Sequence, residues 1–110
     1  MKITIENIIK ALEEKIDSTV CLYSIDAKDD NDAITKGKMK YIQQIGLRQL
    51  IGWMSTNIKN KKMNYIAAVT NNDKYVIYSK KDDKWQKAKN GKKFTSEFKG
   101  RYNKQPEIDD

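Results

Sequence analysis

The chain contains no histidine, which removes the usual general base near neutral pH and the commonest zinc ligand. Its one cysteine, Cys21, rules out an intrachain disulfide. Without histidine it also leaves no Cys-rich or Cys/His zinc site and no Cys/His nucleophilic dyad. The five glycines form neither a phosphate-binding loop nor a dinucleotide fingerprint. No apolar run approaches the roughly 18 residues that a membrane span needs. The opening "MKITIENIIKALEEK" carries acids where a secretion signal has a continuous apolar stretch, so a cytoplasmic protein is expected. Arginine is scarce, two against twenty lysines, which argues against base-specific reading in the major groove. No metal or cofactor is expected.

What is present is charge, unevenly distributed. At 110 residues, 38% hydrophobic and 34% charged, the chain suits one small polar domain, residues 1–110, able to bury a modest core. Residues 1–32 carry four lysines against eight acids, whereas residues 33–72 carry six lysines and Arg48 with no acid. Residues 80–104 hold ten basic and three acidic groups, and the terminal "QPEIDD", 105–110, reads as a flexible acidic tail. This segregation favours a one-sided positive field of the kind that attracts polyanions or acidic partners. A competing explanation is codon bias, because the chain is also rich in Ile and Asn and an AT-rich gene inflates all three residues.

The hydrophobic pattern alternates helix and strand. Ile5, Ile8, Ile9, Leu12 and Ile16 follow helical spacing behind Thr4, which predicts a helix over about 4–17. "TVCLYSI" reads as a strand ending in the acidic loop "DAKDDND". From Met39 to Ile58 the residues Met39, Ile42, Leu47, Leu50, Ile51, Trp53, Met54 and Ile58 fit one broad helical face, with Gly46 inside it marking either a close backbone approach or an interruption. "NYIAAVT" and "KYVIYSK" flank "NND" as a hairpin, and "KWQKAK" suits a third strand after "KDD". Phe94, Phe98 and Tyr102 recur every four residues, predicting a buried stripe on a short helix over about 95–103 capped by Thr95 or Ser96. Tyr75 and Tyr78 fall on opposite faces of their strand, so at least one is expected to be exposed. The expected fold is α+β in the order α-β-α-β-β-(β)-α, with two to three helices covering one face of a mainly antiparallel sheet of three to four strands.

Catalysis is not expected. The acids Asp26, Asp29, Asp30 and Asp32 lack the glycine and the later glutamate of an EF-hand loop, and read as a solvated connection. A metal-dependent nuclease needs only carboxylates and a lysine, but Asp82 and Asp83 adjoin a turn where neighbouring side chains diverge, with Glu97 the remaining nearby acid.

The stretch "KKDDKWQKAKNGKKFTSEFKGRYNK", residues 80–104, interleaves cations with rings. Phosphate backbones are bound by lysines and unpaired bases by flat rings, and the stretch supplies both. Lys80, Lys81, Lys84, Lys87, Lys89, Lys92, Lys93, Lys99, Arg101 and Lys104 are the candidate contacts, with Trp85 as the best stacking candidate, though its position fits the core equally well; Lys36, Lys38, Lys40, Lys59, Lys61 and Lys62 extend the set at the two ends of the long helix. The expected function is weakly sequence-selective nucleic-acid binding. The alternative is a small inhibitor, of the type that phage or mobile elements carry or that confers immunity to a toxin, docking on an acidic surface of a nucleic-acid-processing enzyme or nucleoprotein complex. A subunit of a larger assembly is a third reading.

Overall fold

Five strands make one antiparallel sheet in the order β2-β1-β3-β4-β5, in a computed structural model that describes residues 19–101. The helix expected over 4–17, the tail 105–110, Tyr102 and Lys104 lie outside the described residues. The chain passes through β1 (Thr19–Asp26), α1 (Asp30–Thr35), β2 (Lys38–Gly46), α2 (Leu47–Thr56), β3 (Tyr65–Thr70), β4 (Tyr75–Lys81), β5 (Lys84–Gly91) and α3 (Phe94–Glu97). The α+β class holds, with one more strand than the three to four expected.

The extra strand comes from the segment whose pattern suits one long helix. Residues 38–46 form β2, paired with β1 along its whole length, and only Leu47–Thr56 is helical. The pairing passes from Leu22–Gln43 to Tyr23–Tyr41, so Ile42 is an extra residue, a β-bulge. Met39 and Tyr41 therefore face one side of the sheet, and Ile42 and Ile45 the other. A bulge breaks the two-residue alternation of a strand, and apolar residues at 39, 42 and 45 then mimic helical spacing. Gly46 is the interruption: its backbone is extended (φ −72°, ψ 149°), and its N–H donates to Gln49 Oε1 at 3.2 Å, closing the first turn of α2.

Both faces of the sheet are covered, which corrects the expected one-sided arrangement. On one face α2 lowers Leu47, Leu50 and Met54 onto Val20, Leu22, Ile66, Ala68, Val76, Tyr78 and Trp85. On the other, α1 and α3 bring Ala33, Phe94 and Phe98 onto Tyr23, Ile25, Met39, Ala67, Tyr75 and Ile77. Tyr75 and Tyr78 do point to opposite faces, yet both are buried, because each face has its own cover. Tyr75 packs edge-on against Phe98 and Phe94, and its hydroxyl donates to Glu97.

The two small helices form for local reasons. The acidic loop folds into α1 because Asp29 accepts from the Asp32 N–H at 2.8 Å as its N-cap, Asp30 and Asp32 sit at the positive end of the helix, and Ala33 is buried. Helix α3 is shorter than the expected 95–103 and starts at Phe94, with neither Thr95 nor Ser96 as its cap. Asp73, in the β3–β4 turn at φ 66°, takes that role: its carbonyl accepts from Phe94 N–H and its carboxylate from Thr95 N–H and Oγ1. Gly100, at φ 84°, then turns the chain away, while Phe94 and Phe98 keep their shared inward direction. No helix among the described residues is long and apolar enough to cross a membrane.

Candidate functional site

The lysine-rich stretch is built on an edge strand. Strand β5 pairs with β4 on one side only, and Asp82 and Asp83, both with positive φ (55° and 59°), make the two-residue turn that joins them. The β4–β5 register shifts between Ile77 and Tyr78, leaving Ala88 as a bulged residue. Lys87 consequently lies opposite Tyr78 on the α2 side of the sheet, while Lys84 and Lys89 lie opposite Lys81 and Ile77 on the α3 side. Lys81, Lys84, Lys87, Lys92 and Lys93 are exposed. Lysines on an edge strand also have a purely structural use, since they deter edge-to-edge pairing with other chains.

Three members of the sequence-predicted site are structural instead. Trp85 is 3% exposed, its indole N–H donating to the Met54 carbonyl at 2.8 Å, so of the two roles open to it the residue takes the core one and is no stacking platform. An indole on the inward face of β5, opposite Lys80 and beneath α2, fills the end of the core. Lys80 is half-buried, with its ammonium 4.7 Å from the Trp85 ring and donating to the carbonyls of Asn57 (2.7 Å) and Asn60 (2.9 Å). Burial pulls its pKa down, with Asp83 acting in the opposite direction. Arg101 spends its guanidinium on three carbonyls of the α1 region, and burial likewise lowers its pKa. Lys89 is partly engaged, 3.5 Å from Glu97.

Lys80 has a second consequence. Its side chain grips the loop after α2 and its N–H donates to the Asn64 carbonyl, which holds residues 57–64 against the end of β4. The exposed lysines Lys59, Lys61 and Lys62 are thereby brought beside the β4–β5 turn that carries Lys81 and Lys84. Nothing in sequence spacing signals this, because the hydrogen bonds run to backbone carbonyls 23 and 20 residues away. Replacing Lys80 by methionine keeps the stem over Trp85 and removes the donors. The expected result is a loss of about 2 kcal/mol in unfolding free energy and faster hydrogen exchange in residues 57–64, read by denaturant titration and exchange mass spectrometry.

The remaining candidate residues fall elsewhere. Lys36, Lys38 and Lys40 are exposed but lie on or before β2, the opposite edge of the sheet. Four inter-strand spacings, about 19 Å, separate that edge from β5. They do not stand at the end of a continuous helix with Lys59, Lys61 and Lys62. Lys99 is exposed beyond α3. Asp82 and Asp83 occupy the hairpin turn, whereas Glu97 is held by Tyr75 and Lys89 on the α3 side, so the three carboxylates do not converge. Among the described residues no three His, Cys, Asp or Glu side chains group as metal ligands would.

No family model matches the chain, and comparison with curated proteins and with solved structures gives no match either.

Proposed function

We propose that the domain is a non-enzymatic binding protein that engages the phosphate backbone of nucleic acid with low sequence selectivity, through the lysines of β5, its turn and the adjoining loop. The observation that carries this reading is the grouping of the exposed Lys59, Lys61, Lys62, Lys81 and Lys84 at one end of the sheet, where Lys80 pins the loop, with Lys87, Lys92 and Lys93 following along the same β5 edge. Codon bias raises lysine content everywhere, but it does not make a lysine strut that gathers other lysines. Scarcity of arginine leaves phosphate binding as the main source of affinity. Anisotropy titration of labelled, mixed-sequence nucleic acid tests the proposal. With about five phosphates neutralised, affinity should fall roughly 500-fold between 50 and 200 mM salt. Binding that ignores salt, or no binding at 50 mM, contradicts it.

One observation favours the inhibitor as a second reading. Trp53, Ile58 and Met63 are only half-buried and flank the same lysine loop, and apolar anchors beside charge are the usual make-up of a protein-binding hot spot. In that case Trp53→Ala abolishes partner binding, while single lysine replacements change mainly the association rate.

A further inference from the structure

Which form of nucleic acid suits this surface depends on where the rings lie. Trp85, Phe94 and Phe98 are all buried. Three described rings remain half-buried, and none stands among the β5 lysines. Tyr65 is hydrogen-bonded to Asp30 and feels Asp29 and Asp32 as well, an environment that repels phosphate. Tyr41 lies on β2, at the far edge, packed edge-on against Tyr23. Trp53 leans on the core from α2. Proteins that hold single strands draw about 1–3 kcal/mol per base from stacking on such rings, and among the described residues β5 itself offers none, Trp53 lying instead beside the loop of Lys59, Lys61 and Lys62.

The lysines themselves stand on both faces of the strand. Side chains of a strand alternate between its faces, and the Ala88 bulge sets the phase. Lys81 and Lys84 project on the α3 side, while Lys87 projects on the α2 side, with the open backbone edge of β5 between them. Lys92 and Lys93 follow at the far end. From Lys84 to Lys92, just past the end of β5, the chain spans at most about 26 Å at roughly 3.3 Å per residue. That is equal to about eight base pairs at 3.4 Å each, with a bend where Ala88 bulges. A single strand presents one flexible row of phosphates; a duplex presents two, one on either side of a groove.

We infer that the nucleic acid taken by this surface is a duplex, docked lengthwise along the β5 edge with one row of phosphates toward the lysines of each face. The inference rests on the nucleic-acid reading above and narrows it to double strands of at least about eight base pairs. Asp82 and Asp83 sit between Lys81 and Lys84 and oppose such a ligand electrostatically. Both hold positive φ, a conformation that asparagine tolerates as well as aspartate, so their charge can be removed without disturbing the turn.

The experiment uses the full chain and anisotropy at about 50 mM salt, with a mixed-sequence 16-base-pair DNA duplex, the same sequence as RNA duplex, each component single strand, and DNA duplexes of 6, 8, 12 and 16 base pairs. Duplex should bind at least about tenfold more tightly than either strand, with affinity dropping sharply below about eight base pairs; the two duplex chemistries distinguish DNA from RNA as the source of that geometry. Combined Lys84→Gln, Lys87→Gln, Lys92→Gln and Lys93→Gln should lower the salt slope by about one for each phosphate that is no longer neutralised. Combined Lys36→Gln, Lys38→Gln and Lys40→Gln should leave duplex affinity within about twofold of the parent, because those lysines lie at the other edge. Asp82→Asn with Asp83→Asn should tighten duplex binding several-fold. Single strands binding as well as duplex, with quenching of Trp53 fluorescence, would overturn the inference and leave the nucleic-acid reading standing. Binding to neither overturns both. The length series needs no variant and so stands even if a substitution disturbs folding.

Discussion

Trp85→Ala is expected to lower the unfolding free energy by about 4 kcal/mol, within the range of roughly 3–5 for removing a buried tryptophan. The ring is 3% exposed and packs with Leu50, Met54 and Tyr78 beneath α2, so its removal leaves a cavity that the α2 backbone closes only in part. The Met54 carbonyl loses its indole donor, and the Lys80 ammonium loses the ring that it faces at 4.7 Å. On a domain of this size the midpoint of thermal unfolding should drop by on the order of 20 °C. Trp85→Phe keeps most of the apolar volume and gives up the indole hydrogen bond, so a loss of about 1–2 kcal/mol is expected. Urea titration of the three proteins reads these values. The same variants separate two roles for the residue: a surface stacking ring could be replaced by alanine at a cost within about 0.5 kcal/mol. Trp85→Phe should also leave nucleic-acid affinity unchanged when measured on the folded protein, because the ring does not reach the surface.

The elements legible in the sequence are those in which local pattern and tertiary environment agree. "TVCLYSI", "NYIAAVT" and "KYVIYSK" each carry a mainly apolar run because both faces of β1, β3 and β4 are buried, and such a short run between turn residues has few other readings. The same continuity hides the second cover. A strand buried on one face alternates, whereas these do not, and the opposed Tyr75 and Tyr78 suggest a wet face where neither is wet. Residues 38–46 mislead for the opposite reason. The Ile42 bulge adds one residue to a strand, and one residue suffices to turn a period of two into an apparent period near three. Gly46, the single position at odds with a continuous helix, is where β2 becomes α2.

The candidate surface is legible in its charge and illegible in its rings. Lys81, Lys84, Lys87, Lys92 and Lys93 reach solvent as a lysine run usually does. Whether an aromatic residue between lysines points outward depends on strand phase, which the bulge at Ala88 resets, and on which helix lies overhead. The two cations withdrawn from the surface, Lys80 and Arg101, bind backbone carbonyls. Carbonyls carry no residue identity, so no pairing of charges in the sequence marks these hydrogen bonds in advance.

Arg101→Ala should cost about 3 kcal/mol, the second largest effect expected. The guanidinium donates from Nε to the Gly37 carbonyl at 3.1 Å, from Nη1 to Ile34 at 2.7 Å and from Nη2 to Ala33 at 2.6 Å, while stacking 4.6 Å from the centre of the Phe98 ring. These carbonyls belong to the C-terminal end of α1 and the residues just after it, where a cation also meets the negative end of the helix. The residue's own carbonyl accepts from Met39 N–H at 2.6 Å, tying the chain after α3 to β2. The side chain thus joins α1 and the turn before β2 to the aromatic cluster beneath α3, while its main chain ties the segment to β2. Each hydrogen bond from a charged donor is worth about 1.5–3 kcal/mol when its partner is left dry. The half-exposed position of Arg101 and the water available to the freed carbonyls reduce the sum to the expected value. Arg101→Lys supplies charge without the planar fork, reaches fewer of the three carbonyls and loses the stacking, so it should recover less than half of the stability. Denaturant titration gives the totals, and hydrogen exchange at Ala33 to Met39 locates the loss. A variant as stable as the parent, with those amides still protected, would mean that α1 and the turn after it are held without the guanidinium.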